Sequence, residues 1–396
     1  MAVDFDRERL RSLARLHDEI GVLSVYVSVD EREPDATLPV AETRFRRDLE
    51  ALVEEVRRTA PRGHARALAG RVEALSFELE GLLSTRTVGS GLGRALLAPV
   101  SRDEVETVSL QRPLVNRVVF EPTAYLRPLV AAWSLDGPAG VAVVSEEGLR
   151  LIDLRLGFAE DVATYPYSEV GERRELRGPA GANPTLAQQS VVQTDLAERR
   201  QREHVARFLS ARSAGVSDLA AAREWSYLAV SGDPELVAAL VSGLPQVWPV
   251  AVLRLPYVLS AASPHEVAEA VRADLDGARR DRGRALAELV RDAALSGATG
   301  ALGLSETLAA LQEGRVAHLL LDDSRSWHGS RSPEGHLVTE GETPPWVDPD
   351  KLVAEPEMAE RMIEKALETD AAMTLLQPDA ATPLADSDGV GAVLRW

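Results

Sequence analysis

The sequence predicts an α/β protein of three domains, with mixed sheets covered by helices. Apolar runs of period two alternate along the chain with segments of helical periodicity, so strands and helices are interleaved. The 396 residues exceed one ordinary domain, and 45% are hydrophobic, enough for more than one core. The order of elements gives an N-terminal α/β domain over 1–130, a central domain over 131–266 and a C-terminal α/β domain over 267–396.

Residues Asp4 to His17 are predicted to form a helix that buries Phe5, Leu10, Leu13 and Leu16. In the next segment, 21–30, Val25, Val27 and Val29 alternate with Tyr26 and Ser28, the pattern of a strand. Two helices follow over 41–60 and 64–83, parted by Pro61, Arg62 and Gly63, and then strands over 94–100, 104–110 and 117–121.

The central domain opens at Ala131, and residues 140–167 read as a β-meander with Glu146, Glu147 and Gly148 at one hairpin turn. Strands are expected over 226–232 and 247–255, with a short helix between them closed by Gly243. A long helix over 264–295 leads into the last domain. There Ser305 is the expected N-cap of a helix that Gly314 closes. A strand over 316–323, a polar loop or small insertion, an amphipathic helix over 357–369 and two closing strands complete the chain. That helix carries Met358, Met362, Ile363, Ala366 and Leu367 on its apolar side.

The net charge is −18, so general affinity for nucleic acid is not expected, and neither is DNA as a partner. No cysteine is present, which excludes disulfides and thiolate–metal sites. The N-terminus lacks a signal-peptide core, and no apolar run has the length of a membrane span. The expectation is a cytoplasmic protein without a membrane partner, a bound metal or a cofactor.

Against this acidic background the stretch from Gly171 to Ala211 is a basic island. Arg173, Arg174 and Arg177 lie in a segment where Gly178, Pro179, Gly181 and Pro184 forbid a helix. Arg199, Arg200, Arg202, Arg207 and Arg212 lie on a helix that can start near Thr185. Its apolar positions form two clusters, Val191/Val192/Leu196 and Val205/Phe208/Leu209, around a charged middle that is expected to face water. A loop carried on such a helix can reach among RNA phosphates, in contacts that weaken with salt. The plainer alternative is a surface loop on a solvated helix.

The C-terminal signature pairs SETLAALQEGRVAHLLLDD with a final DGVGAVLRW. It resembles the last domain of archaeo-eukaryotic peptide-chain release factors and of Pelota. The meander, the Arg-rich segment, its helix and the strand SYLAVSG resemble their middle domain, and the first module a reduced N-terminal domain. Among bacterial members, the chain is similar to release-factor-like families, Vms-type peptidyl-tRNA hydrolases and Balon-type hibernation factors.

The resemblance implies a three-domain release-factor/Pelota-like architecture and a translation factor that enters the ribosomal A site in rescue or quality control. Its partners would be rRNA and tRNA of the ribosome, with a translational GTPase or elongation factor as a further partner. A non-catalytic hibernation factor and an acidic protein-interaction scaffold are the alternatives. No Gly-Gly-Gln occurs, and the corresponding stretch is GPAGANPTLAQQS. Laying the family helix on residues 190–208 puts the loop glutamine at Gln188 or Gln189. Such a glutamine could position water at a peptidyl-tRNA ester. Arg173, Arg174, Arg177, Arg199, Arg200 and Arg202 would then meet phosphates. No Asn-Ile-Lys-Ser motif is present, so stop-codon decoding is not expected.

Other constellations are weaker. Asp322, Asp323, His328 and His336 fit no common metal-ligand spacing, and a solvated loop explains them. Gly89–Gly93 lacks both the Rossmann spacing and the Walker lysine. His204 could face RNA or serve as a surface histidine. Ser231, Gly232 and Asp233 have no nameable base partner. Trp133, Trp225, Trp248 and Trp396 sit beside expected strands and are read as core.

Overall fold

The computed structural model describes residues 5–29, 38–83, 91–167, 184–342 and 348–396, and of 38–41 and 184–201 it describes the backbone alone. The chain forms two compact units. One joins Met1–Asp136 to Asp276–Trp396, and the other is Gly137–Leu275. We call them the two-segment unit and the central unit. The positions read as boundaries, 130 and 266, lie inside helices.

The two-segment unit opens with α1 (Arg7–Ala14). Asp6 caps it by accepting from the Arg9 N–H at 2.7 Å. β1 (His17–Ser28) follows at once. The long strand bends between His17 and Val22, where Gly21 has φ +143° and Asp18 accepts from the N–H groups of Ile20 and Gly21. After α2 (Leu38–Thr59), the single helix expected over 64–83 is two, α3 (Arg62–Ala74) and α4 (Ser76–Leu83). Helices α2 to α4 supply Phe45, Leu68 and Leu79 to a core with Leu23, Val25 and Leu96 of the sheet.

β2 (Gly93–Pro99), β3 (Glu106–Leu110) and β4 (Arg117–Thr123) complete an antiparallel sheet ordered β3-β2-β1-β4. Helix α5 (Arg127–Asp136) ends this segment and runs across residue 131, which the sequence reading takes as the start of a new domain.

In the central unit β5 (Ala139–Ser145), β6 (Gly148–Arg155) and β7 (Phe158–Pro166) form the expected meander. α6 (Pro184–Ala222), β8 (Tyr227–Ser231), α7 (Pro234–Ser242) and β9 (Ala251–Arg254) follow. The sheet order is β7-β6-β5-β8-β9. β5, β8 and β9 run parallel, and the meander pairs are antiparallel. Parallel strands need crossover helices, and α6 and α7 are those helices. Gly140 makes room for Trp225, since a Cβ there would meet the indole at 2.3 Å.

α8 (Pro264–Leu295) matches its expected span at both ends and leads back into the two-segment unit. β10 (Gly300–Leu302) and α9 (Gly303–Gln312) follow. Ser305 lies inside α9 instead of capping it, and its hydroxyl donates to Glu342 at 2.9 Å. Gly314, at φ +69°, does close the helix. After β11 (Val316–Asp322), the polar insertion holds two short strands, β12 (Gly329–Arg331) and β13 (Leu337–Thr339). With β14 (Val353–Glu355) they form a small sheet. α10 (Met358–Glu368), β15 (Ala372–Leu376), the short α11 (Pro378–Ala381) and β16 (Val390–Leu394) close the chain. Their mixed sheet is ordered β10-β16-β11-β15.

A buried charge cluster joins the two segments of this unit. Glu360, fully buried, accepts from the backbone N–H groups of Leu126 and Arg127, the latter at 3.0 Å, at the positive end of α5. Arg361, 4% exposed, donates to Glu121, to Glu364 at 2.7 Å and to Thr123 Oγ1 at 2.9 Å. Glu357 accepts from Arg117 and, at 3.3 Å, from the Tyr125 hydroxyl. Burial pushes Glu360 up to about 8 and Glu121 up to about 7. In Glu360 desolvation outweighs its two backbone hydrogen bonds, and in Glu121 it outweighs the nearby guanidinium.

Candidate nucleic-acid interface

Helix α6 decides what the basic island can do. Its C-terminal half is anchored, with Val205, Leu209, Val216 and Ala220 buried in the core of the central unit. Their spacing of four and seven residues puts them on one face. Ser213, on the same face, donates to the Leu240 carbonyl at 2.8 Å. The adjoining Gly243 leaves no space for a Cβ, which would sit 2.4 Å from Ser213 Oγ.

Arg202, Glu203, His204, Arg207 and Arg212 on the same helix are exposed. Arg202 lies 3.7 Å from Glu146, and both side chains are more than half exposed (56% and 57%). Such a pair is worth at most about 1 kcal/mol, so phosphate can compete for the guanidinium. Arg207 meets only the Glu203 carbonyl, at 3.4 Å, and among the described residues it has no carboxylate partner. Arg212 is held differently. Its guanidinium lies over the rings of Tyr165 and Phe208 at 5.0 and 5.1 Å, and Tyr167 meets Phe208 edge-on at 5.5 Å. This stack braces α6 against β7.

Arg150 on β6 and Arg223, just past the end of α6, are more firmly neutralised. Arg150 makes a two-pronged contact with Asp161, and Arg223 donates to Glu160 at 2.9 Å. Arg202 and Arg207 on α6 are therefore among the cations open to a partner.

Of the residues singled out in the sequence, Arg202 is exposed on α6. Arg173, Arg174, Arg177, Gly178 and Gly181 lie outside the described residues. Gln188, Gln189, Arg199 and Arg200 lie on the α6 backbone, with side chains outside the described residues. α6 begins at Pro184, so both glutamines stand beyond the first four residues, whose N–H groups a helix leaves free. Their own N–H groups belong to the helix ladder, and the carboxamides are the donors left to them.

Other candidates have structural roles. Ser231 is buried and donates to the Tyr257 carbonyl at 2.7 Å. Asp233 caps α7 through the Glu235 N–H. Asp322 accepts from the Ser324 N–H and hydroxyl. Trp225 is core, donating to buried Asp153, whereas Trp396, read as core, is 66% exposed. Phe208 is in an expected apolar cluster of α6, but its partners Tyr165 and Tyr167 were not expected to brace the helix. Their sequence signal is the Tyr-Pro-Tyr at the end of β7.

Residues 125–275 match the model of bacterial archaeo-eukaryotic release factor family 10. The match covers the whole of the central unit. It takes in the meander, α6 and the segment before it. The Bacillus subtilis protein YocB, described as uncharacterized, is 24% identical over 240 residues, spanning 59% of this chain and 86% of that one. Among solved structures, the archaeal translation termination factor aRF1 is similar at 16% identity over 99% of each chain, with a TM-score of 0.24. Archaeal Pelota, from a model of the ribosome-bound protein with ABCE1, is similar at 13% identity over 77% of each chain, with a TM-score of 0.40. Among the described residues no helix is long and apolar enough to cross a membrane.

Proposed function

We propose that the protein is a ribosome-associated translation factor that enters the A site in ribosome rescue or quality control. The observation that carries this reading is the exposed basic run of α6. It presents Arg202, His204 and Arg207 on a helix anchored in a unit that matches the model of bacterial archaeo-eukaryotic release factor family 10. Arg199 and Arg200 extend the same basic run toward the helix start, and Arg173, Arg174 and Arg177 precede it. Phosphate contacts from such a run position a protein on RNA without reading its sequence. The overall charge of −18 disfavours loose binding elsewhere on RNA. A translational GTPase or elongation factor as delivery partner belongs to the same proposal, as does cytoplasmic action.

Peptidyl-tRNA hydrolysis is the catalytic form of this reading, with the carboxamide of Gln188 or Gln189 placing the water. Occupation of the same site without chemistry, as in hibernation, is the second form. The helical backbone at the two glutamines favours it, because that backbone withdraws their N–H groups from an oxyanion.

Co-sedimentation with ribosomes at low salt tests the binding step. The wild-type chain should pellet with ribosomes, and Arg199→Glu/Arg200→Glu/Arg202→Glu should stay in the supernatant. Equal pelleting of both would remove the helix from the interface, and no pelleting of the wild type would leave the scaffold alternative. Peptide release from ribosome-bound peptidyl-tRNA, lost in Gln188→Ala/Gln189→Ala, separates the catalytic form from the silent one.

A further inference from the structure

A second cationic site lies in the two-segment unit and does not depend on the ribosomal reading. Between α1, α5, the end of α10 and β15 is a cavity of about 280 Å³. Arg7 and Arg11 line it one helical turn apart, a spacing that puts both guanidinium groups on one face of α1. Leu10, Trp133 and Met373 give it an apolar wall. Asp370 stands at the rim and pairs with Arg11 through an exposed contact, 41% and 75% accessible on the two sides.

The charges of the site do not balance. Arg7 has no ion pair or hydrogen bond among the described residues, and its field reaches His318. Burial, followed by Arg282 and Arg7, lowers that histidine to about 4. Like charges at this spacing on a helix repel, and Asp370 offsets only one of them. Trp133 is only partly buried and is fixed edge-on by Phe5 at 6.2 Å. An aromatic wall held in place and two guanidiniums in the same cavity fit a planar ring that carries an anionic group. The volume is at the lower edge of ligand pockets, which run from about 300 to 1,000 Å³. A dinucleotide is therefore too large and a mononucleotide is about the right size.

We propose that this cavity binds a small heteroaromatic anion of the nucleoside monophosphate class. The phosphate pairs with Arg7 and Arg11, the base lies against Trp133, and the Asp370 carboxylate accepts from an exocyclic amine.

Isothermal titration of the full chain with adenosine and guanosine monophosphates, at low ionic strength, tests the site. Inorganic phosphate and the free nucleosides serve as separate arms. The expected result is saturable binding of one monophosphate per chain, with phosphate alone and nucleoside alone about tenfold weaker or worse. Arg7→Gln and Arg11→Gln should each weaken binding by about tenfold, the usual scale for losing one charge-assisted pair. Arg7 is exposed, so its replacement leaves the fold intact, and a thermal melt checks this. Absence of saturable binding to any monophosphate overturns the proposal, as does affinity unchanged in both variants. Inorganic phosphate binding as tightly as a monophosphate overturns the role given to Trp133.

Discussion

Arg361→Ala will lower the stability of the two-segment unit by about 3–5 kcal/mol, the cost of removing one partner from a buried charge network. Arg361 is 4% exposed and stands among Glu121, Glu355 and Glu364. Burial alone would depress its guanidinium, but Glu364, Glu121 and Glu355 outweigh it and hold it fully charged. Without the guanidinium these carboxyls face one another in a dry site, and they can relieve the repulsion only by taking up protons. The loss should therefore be greatest above neutral pH. Arg361→Lys keeps the charge but not the planar fork that reaches Glu121, Glu364 and Thr123 together, and it should recover only part of the stability. Differential scanning calorimetry is the suitable readout, because two compact units need not melt as one transition. A change under about 1 kcal/mol in Arg361→Ala would mean that the cluster is not what fastens the two segments.

The second large effect is a fall in stability as pH rises. Glu360 and Glu121 titrate at about 8 and about 7 in the folded chain, against 4.5 for a free glutamate. A carboxyl whose folded value is raised binds more protons in the native state than in the unfolded one. Stability then declines between the two values and levels off above the higher one. The decline should run from about pH 5 to about pH 8 and amount to a few kcal/mol. Glu360→Gln keeps an oxygen for one of the two N–H groups at the start of α5 and cannot ionise. Its melting temperature should depend less on pH than that of the wild type and should exceed it at pH 9. A variant whose profile runs parallel to the wild type from pH 5 to 9 would show that the Glu360 proton is not the one being released.

The parts of the fold written in local pattern were legible in the sequence. α8 shows helical periodicity from Pro264 to Leu295, and α7 carries its own start and stop signals in Asp233 and Gly243. The meander β5–β7 follows its apolar runs and the turn at Glu146, Glu147 and Gly148. Elements too short for a period were not legible. β10 has three residues, and β12 and β13 lie in a stretch rich in Ser, Gly and Glu that reads as loop. The break between α3 and α4 at Leu75 has no glycine or proline to mark it.

The charge cluster was hidden for a different reason. Glu357, Glu360, Arg361 and Glu364 read as the solvated side of an amphipathic helix. They are covered instead by Thr123, Leu126 and Arg127, more than 230 positions earlier in the chain. Periodicity can say that a helix has two faces, but not that both are buried. At the candidate interface, composition alone showed the basic island. It could not show that Arg212 is spent on bracing α6 while Arg202 and Arg207 face outward.

The claim that α6 meets RNA phosphates is tested most directly by the salt dependence of ribosome binding. Each phosphate contact contributes about 0.7–0.9 to the slope of log K against log salt. Arg199→Ala/Arg200→Ala/Arg202→Ala should bind more weakly, with a slope shallower by roughly two to three. Parallel lines for variant and wild type, at whatever affinity, would contradict the claim.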